Sequence, residues 1–136
     1  MKSRNDRYGE HLSAEKLGIE VHTMGDGFTW DTKNPEQDIK TSRDTWALCV
    51  NKLRSGKYDM LVFDELVYVL SYKWLPVDEV LAEIKEARTT QPALHIVVTG
   101  RDAPQELLNA ADLVTEMTEI KHPFNAGIRA QQGIEF

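Results

Sequence analysis

The stretch "YDMLVFDE", residues 58–65, decides how this chain folds. Met60, Leu61, Val62 and Phe63 run without a polar interruption, and Asp64 and Glu65 close the run. A strand with one wet face would alternate apolar and polar side chains. An unbroken apolar run with a turn signal at its end instead predicts a parallel strand buried on both faces. A second such run, "LHIVV" at 94–98, leads into Thr99, Gly100 and Arg101. Between the two, Pro76 opens a helical pattern with Val77, Val80, Leu81 and Ile84 at i, i+3, i+4 and i+7. Parallel strands need a crossover, so strand, helix and strand form one right-handed unit.

The alternation continues outward. "IEVHTM" (19–24) has the period of a strand with one wetter face. Asn34 is placed to cap a helix whose first turn accepts Pro35. Ile39, Trp46, Val50 and Leu53 share one face of that helix, and Gly56 stops it. A short helix over 10–17 precedes Gly18, and Asp102 with Gln105 has capping-box spacing ahead of another short helix, "PQELLNAA". "DLVTEMTEI" (112–120) reads as the last strand, and 121–136 as a tail with little periodicity. With no repeat, low-complexity tract or linker, the sequence predicts one α/β domain over 1–136 with a mainly parallel sheet.

Composition narrows the function. At 136 residues, 41% hydrophobic and 28% charged, the chain is long enough to bury a core. A formal charge of -6 argues against a nucleic-acid surface, which needs clustered Lys and Arg. The apolar runs are too short to cross a bilayer, and 1–18 lacks the apolar core of a signal peptide, so a cytoplasmic protein is expected. A lone cysteine, Cys49, rules out an internal disulfide and a cysteine-based zinc cluster.

Open parallel sheets bind ligands beyond the carboxyl ends of their strands. Three features fall there. Asp64 and Glu65 have the form of the acidic motif that holds Mg²⁺ in phosphate-loop enzymes, but an acid pair capping the next segment has the same form. Arg101 stands where a guanidinium meets an anion, or simply makes a surface ion pair. The third feature is the loop "MGDGFTWDT" (24–32), in which Gly25 and Gly27 precede Phe28 and Trp30. Two large aromatics two apart either staple a loop to the fold or offer a ligand a rigid apolar surface. The four histidines do not pair at ligand spacing; His95 reads as a core histidine and Cys49 as a small apolar group. No G-x-x-x-x-G-K-[ST] loop occurs, and "GDGFTW" fails as a dinucleotide fingerprint because Trp30 takes its third glycine position.

Taken together, "MGDGFTWDT", "YDMLVFDEL", "HIVVTGRDAPQELLNAADLVTEM" and "KHPFNAGIRAQQGIEF" resemble the ATP:corrinoid adenosyltransferases of the bacterial cobalamin pathway, over about residues 9–136. The resemblance implies a RecA-like phosphate-loop nucleotide-binding fold with helices on both sheet faces, usually as a homodimer. It implies transfer of the 5′-deoxyadenosyl group of ATP to the cobalt of a reduced corrinoid such as cobalamin, with triphosphate released. By the same resemblance Phe28 and Trp30 pack under the corrin ring and displace its lower axial ligand, which eases reduction to the cobalt(I) that attacks C5′. Asp64 and Glu65 match the Mg²⁺-holding acids, with Glu65 in the catalytic set beside Phe28 and Trp30. Arg101 matches an arginine near the nucleotide phosphates. Lys121, His122 and Arg129 lie in a tail that closes over the site, and a flavoprotein reductase is the implied electron donor.

Members of that family begin with a basic segment, a strand, a phosphate loop "GNGKGKTT" or similar, a helix and a second strand. None of these is present in the 136 residues, so the expected fold is N-terminally truncated. One reading is an adenosyltransferase completed by an N-terminal fragment or a second copy. The other is a non-catalytic corrinoid- or partner-binding paralogue. An unrelated nucleotide-binding switch would leave the Phe-Thr-Trp loop unexplained. Either way, residues 1–136 alone are expected to bind Mg-ATP weakly. The oriented N–H groups and lysine of a phosphate loop each contribute about 1.5–3 kcal/mol, so losing two or three costs about two to six decades of affinity. Calorimetric titration of this stretch with Mg-ATP is expected to show no micromolar binding, and a micromolar constant would refute the expectation.

Overall fold

A computed structural model describes residues 9–23 and 35–131. The two apolar runs become β1 (Met60–Phe63) and β2 (His95–Val98), paired in parallel from Met60 opposite His95 to Phe63 opposite Val98. His95 N–H to the Asp59 carbonyl (2.9 Å) and Thr99 N–H to the Phe63 carbonyl (3.2 Å) extend the pairing at both ends. The helices are α1 (Gly9–Leu17), α2 (Pro35–Arg54), α3 (Leu66–Ser71), α4 (Val77–Thr90) and α5 (Gln105–Ala110), followed by a 3-10 turn at Pro123–Ala126. This is a mixed α/β arrangement around a small parallel sheet. Among the described residues no helix is long and apolar enough to cross a membrane.

Helix α2 forms as the sequence predicts, with Pro35 in its first turn. Glu36 and Asp38 sit at its positive end and Lys52 and Arg54 at its negative end. Its buried residues, Ser42, Trp46 and Leu53, follow helical spacing, and Cys49 and Val50 pack beside them. Trp46 meets Phe63 of β1 edge to face at 5.8 Å. The period of two in the strands turns Leu61, Phe63, Ile96 and Val98 toward this core, where Leu66, Val69 and Leu70 of α3 and Val80 and Ala87 of α4 complete it. Leu53 and Val80 are wholly buried. Around them, the Gln91 side chain donates to the Leu53 carbonyl (2.7 Å), and Arg54 clasps Glu83 of α4 through two hydrogen bonds.

Several expectations are corrected. The strands are not buried on both faces: Met60, Val62 and Val97 are exposed, because among the described residues the core closes on one side of the sheet. His95 belongs to that outer side and is exposed rather than a core histidine. Residues 19–23 and 112–120 are not strands. Alternation alone does not make a strand; backbone N–H and C=O groups need a neighbour, and among the described residues β1 and β2 pair only with each other. Leu113, Met117 and Ile120 are accordingly exposed. Asp102 does not cap α5: it takes a left-handed conformation (φ 57°), Pro104 occupies the N-cap, and the Asp102 carbonyl instead accepts from Ser71 Oγ. Ile39, at 36% exposure, lies one turn beyond the covered part of the α2 face.

Where β2 ends, Gly100 passes close over α3. Its φ is +142°, and a Cβ there would lie 2.5 Å from Val67 Cβ. Both facts require glycine. Gly100→Ala is therefore expected to destabilise the fold by about 1–3 kcal/mol from backbone strain alone, read as a lower midpoint in urea unfolding. An unchanged midpoint would show that the contact relaxes freely.

Candidate functional site

In-register pairing brings the two strand ends level, so Asp64 and Glu65 leave β1 beside Thr99, Gly100 and Arg101 leaving β2. Thr99 joins the two sides. Its hydroxyl donates to Asp64 Oδ1 (2.8 Å) and accepts from the Glu65 N–H (2.9 Å). Its carbonyl accepts from the Val67 N–H at 3.3 Å. The chain turns into α3 at Glu65, a non-glycine residue in the left-handed region with φ 62° and ψ 20°. Such a conformation persists where its surroundings hold it, and it recurs at functional sites.

Glu65 occupies the N-cap of α3 but makes no capping hydrogen bond with its side chain. Its Oε2 is instead buried with no hydrogen-bond partner. A buried acceptor left unmet costs about 1–3 kcal/mol and marks a place for a donor or a cation. Asp64 beside it is exposed and bonded through one oxygen. Two carboxylates are hard oxygen donors of the kind Mg²⁺ takes, usually one or two per ion with water and substrate phosphates filling the rest. Among the described residues no group of three or more His, Cys, Asp or Glu side chains is gathered to hold a metal ion. Asp64 and Glu65 thus have the donor chemistry for Mg²⁺.

Arg101 is exposed two residues beyond Thr99, and among the described residues no ion pair engages it. Its guanidinium remains available at the same edge. Phe28 and Trp30 lie outside the described residues. The segment leading toward them is fixed by side chains: Glu20 accepts from Lys52 of α2, from the Tyr58 hydroxyl and from His22, and Thr23 Oγ1 bonds His11 of α1. In the tail, His122 Nδ1 accepts from the Phe124 N–H at 3.1 Å, so that imidazole caps its own 3-10 turn. Among the described residues no bond joins Lys121, His122 or Arg129 to Asp64, Glu65 or Arg101. Cys49 is half-buried in α2, and burial pushes its thiol up to about 11, in keeping with an apolar role. A groove between α2 and α4, lined by Trp46, Val50, Leu75 and Glu79 among others, contains none of the expected site residues. Sequence reasoning missed Thr99, because a threonine after a strand has no spacing signature, and missed the Glu20 cluster, whose members are far apart in the chain.

The sequence model of a family described as ATP:corrinoid adenosyltransferase BtuR/CobO/CobP matches residues 1–136. The corrinoid adenosyltransferase of Escherichia coli (strain K12) is 38% identical over 128 residues, covering 94% of this chain and 64% of the relative. That of Pseudomonas aeruginosa is 42% identical over 119 residues, covering 87% and 57%. That of a Sinorhizobium species is 40% identical over 117 residues, covering 86% and 54%. The chain spans between about half and two-thirds of the length of these curated relatives.

The Glu20 cluster carries a pH signature. Hydrogen bonds from Lys52, Tyr58 and His22 hold the Glu20 carboxyl down at about 2, below its ordinary 4.5. A carboxyl lowered on folding adds stability that is fully present above its unfolded value and lost as pH falls through the folded one. Glu20 is therefore expected to contribute to the loss of stability between pH 4.5 and 2, and Glu20→Gln to flatten that limb of the urea-unfolding profile. A Glu20 carboxyl carbon titrating near 4.5 by NMR would refute this.

Proposed function

The chain belongs to the ATP:corrinoid adenosyltransferase family, and from that premise we propose that it forms the metal-holding and corrinoid-facing part of an enzyme that transfers the 5′-deoxyadenosyl group of ATP to corrinoid cobalt. The observation that carries the reading is the acid pair: Asp64 and the unpartnered Glu65 Oε2 at the carboxyl edge of a parallel strand pair. In a RecA-like phosphate-loop fold that edge is where the nucleotide lies. We take residues 1–136 as part of one such domain, acting in the cytoplasm as a homodimer and supplied with electrons by a flavoprotein reductase.

In this reading each residue type has one task. Asp64 and Glu65 hold Mg²⁺ by their oxygens, and the ion when bound offsets the charge of the triphosphate. Arg101 presents a planar fork of N–H donors to phosphate oxygens. Phe28 and Trp30 pack under the corrin, exclude water from its lower face and displace its lower axial ligand. The electron pair of cobalt(I) then forms the bond to C5′, and the C5′–O bond breaks with its pair leaving on triphosphate. The alternative, a non-catalytic corrinoid- or partner-binding protein, uses the aromatic loop but gives the open Glu65 oxygen no task. The acid pair therefore favours the transferase.

Phe28→Ala and Trp30→Ala are each expected to remove about 1.5–3 kcal/mol of apolar contact, or one to two decades of corrinoid affinity. Both should also suppress the four-coordinate cobalt(II) signal in absorbance and magnetic-resonance spectra. Unchanged affinity and spectra in both variants would leave the aromatics as loop anchors and overturn their proposed role.

A further inference from the structure

We propose that Thr99 is a positioning residue whose hydroxyl sets the acid pair in the geometry that accepts a divalent cation together with nucleotide phosphate. The inference rests on the Mg²⁺-holding reading of Asp64 and Glu65 and adds the residue that orients them. A hydroxyl has a single proton. The Glu65 N–H can only donate, so it takes a lone pair of Thr99 Oγ1 and leaves that proton for Asp64 Oδ1. The direction of both bonds is fixed by chemistry.

Thr99 is itself held firmly. Its N–H bonds the Phe63 carbonyl and its carbonyl accepts from Val67, so the residue is fastened to β1 on one side and to α3 on the other. Branching at Cβ narrows its side-chain rotamers further. The consequence for Asp64 is specific. One oxygen is occupied by Thr99, which biases the orientation of the exposed carboxylate, and Oδ2 has no hydrogen-bond partner among the described residues. The consequence for Glu65 is as direct. Its left-handed backbone is held by the same hydroxyl through its N–H, and that conformation directs the side chain whose Oε2 is buried without a partner. A single hydroxyl thereby orders both carboxylates, an arrangement common where second partners orient metal ligands.

The test uses the protein with manganese(II) and millimolar ATP as the probe, concentrations at which weak binding is still read. Bound ion is read by electron paramagnetic resonance, and thermal unfolding is recorded in parallel. Thr99→Val keeps the shape and loses the hydroxyl; it is expected to weaken Mn²⁺ binding about tenfold, the loss of roughly one hydrogen bond to a charged group. Thr99→Ser restores the hydroxyl and should stay within about twofold of the parent in ion affinity, whatever its melting temperature, because the donor is kept. Asp64→Asn should lose binding outright. If Asp64→Asn loses the ion and Thr99→Val keeps it, the role of Thr99 is overturned while the acid pair stands. If Thr99→Ser loses as much as Thr99→Val, the methyl group and not the hydroxyl is what matters, and the proposal fails. If Asp64→Asn binds like the parent, the acid-pair reading and this inference fall together. Should Thr99→Val not fold, Thr99→Cys, whose thiol is a weak donor, replaces it under the same criteria.

Discussion

The in-register pairing of β1 with β2 is the constraint from which the rest of the described structure follows. Side chains alternate with a period of two, so a slip of β1 by one residue would turn Phe63 out of the core and bring Met60 and Val62 in. It would also part Thr99 from Asp64. The same register that buries Phe63 under Trp46 therefore sets the carboxyl ends level, and packing and site geometry are one fact seen twice. Helices α2 and α4 hold the pair in place from one side, with Leu53 and Val80 at the centre and the Arg54–Glu83 clasp at the rim. Arg54 and Glu83 are partly exposed, so that clasp adds little energy compared with the side chains beneath it.

Strain collects where the strands end. Glu65 has a left-handed backbone, Gly100 a conformation that only glycine takes easily, and Glu65 Oε2 an unmet acceptor. A purely structural turn needs none of these costs. Two belong to Glu65, next to Asp64, and the third to Gly100, next to Thr99 at the end of the paired strand. Thr99 lies between them, and its four hydrogen bonds, two from the backbone and two at the hydroxyl, keep the strained turn from relaxing.

Much of the fold was legible in the sequence wherever local pattern and tertiary packing agree. The runs at 60–63 and 95–98 and the helices behind Pro35 and Pro76 carry their own signals: apolar continuity, helical spacing and a proline at the start. Segments 19–24 and 112–120 alternate just as clearly, yet a strand is a property of two chains lying side by side. Its partner cannot be read from its own letters. The exposure of His95, Met60 and Val62 was hidden for the same reason, since composition does not say which side of a sheet is covered. Of the site, the acid pair and Arg101 were visible because strand ends announce themselves. Thr99 was not: its contribution depends on the distance between two strands, and Phe28 and Trp30 lie outside the described residues.

Cys49 gives this architecture a clock. Its thiol sits half-buried on the inner side of α2, packed against the core, and burial holds it far from the thiolate form that reagents attack. Being the lone cysteine of these 136 residues, it reports on a single place. Packing against the core slows alkylation of the half-buried sulfur, so the labelling rate reports how tightly the helix that packs Trp46 onto Phe63 is held. A ligand that tightens the strand ends beneath α2 would slow that rate. Occupancy of a site some way off would then be recorded as unreacted sulfur.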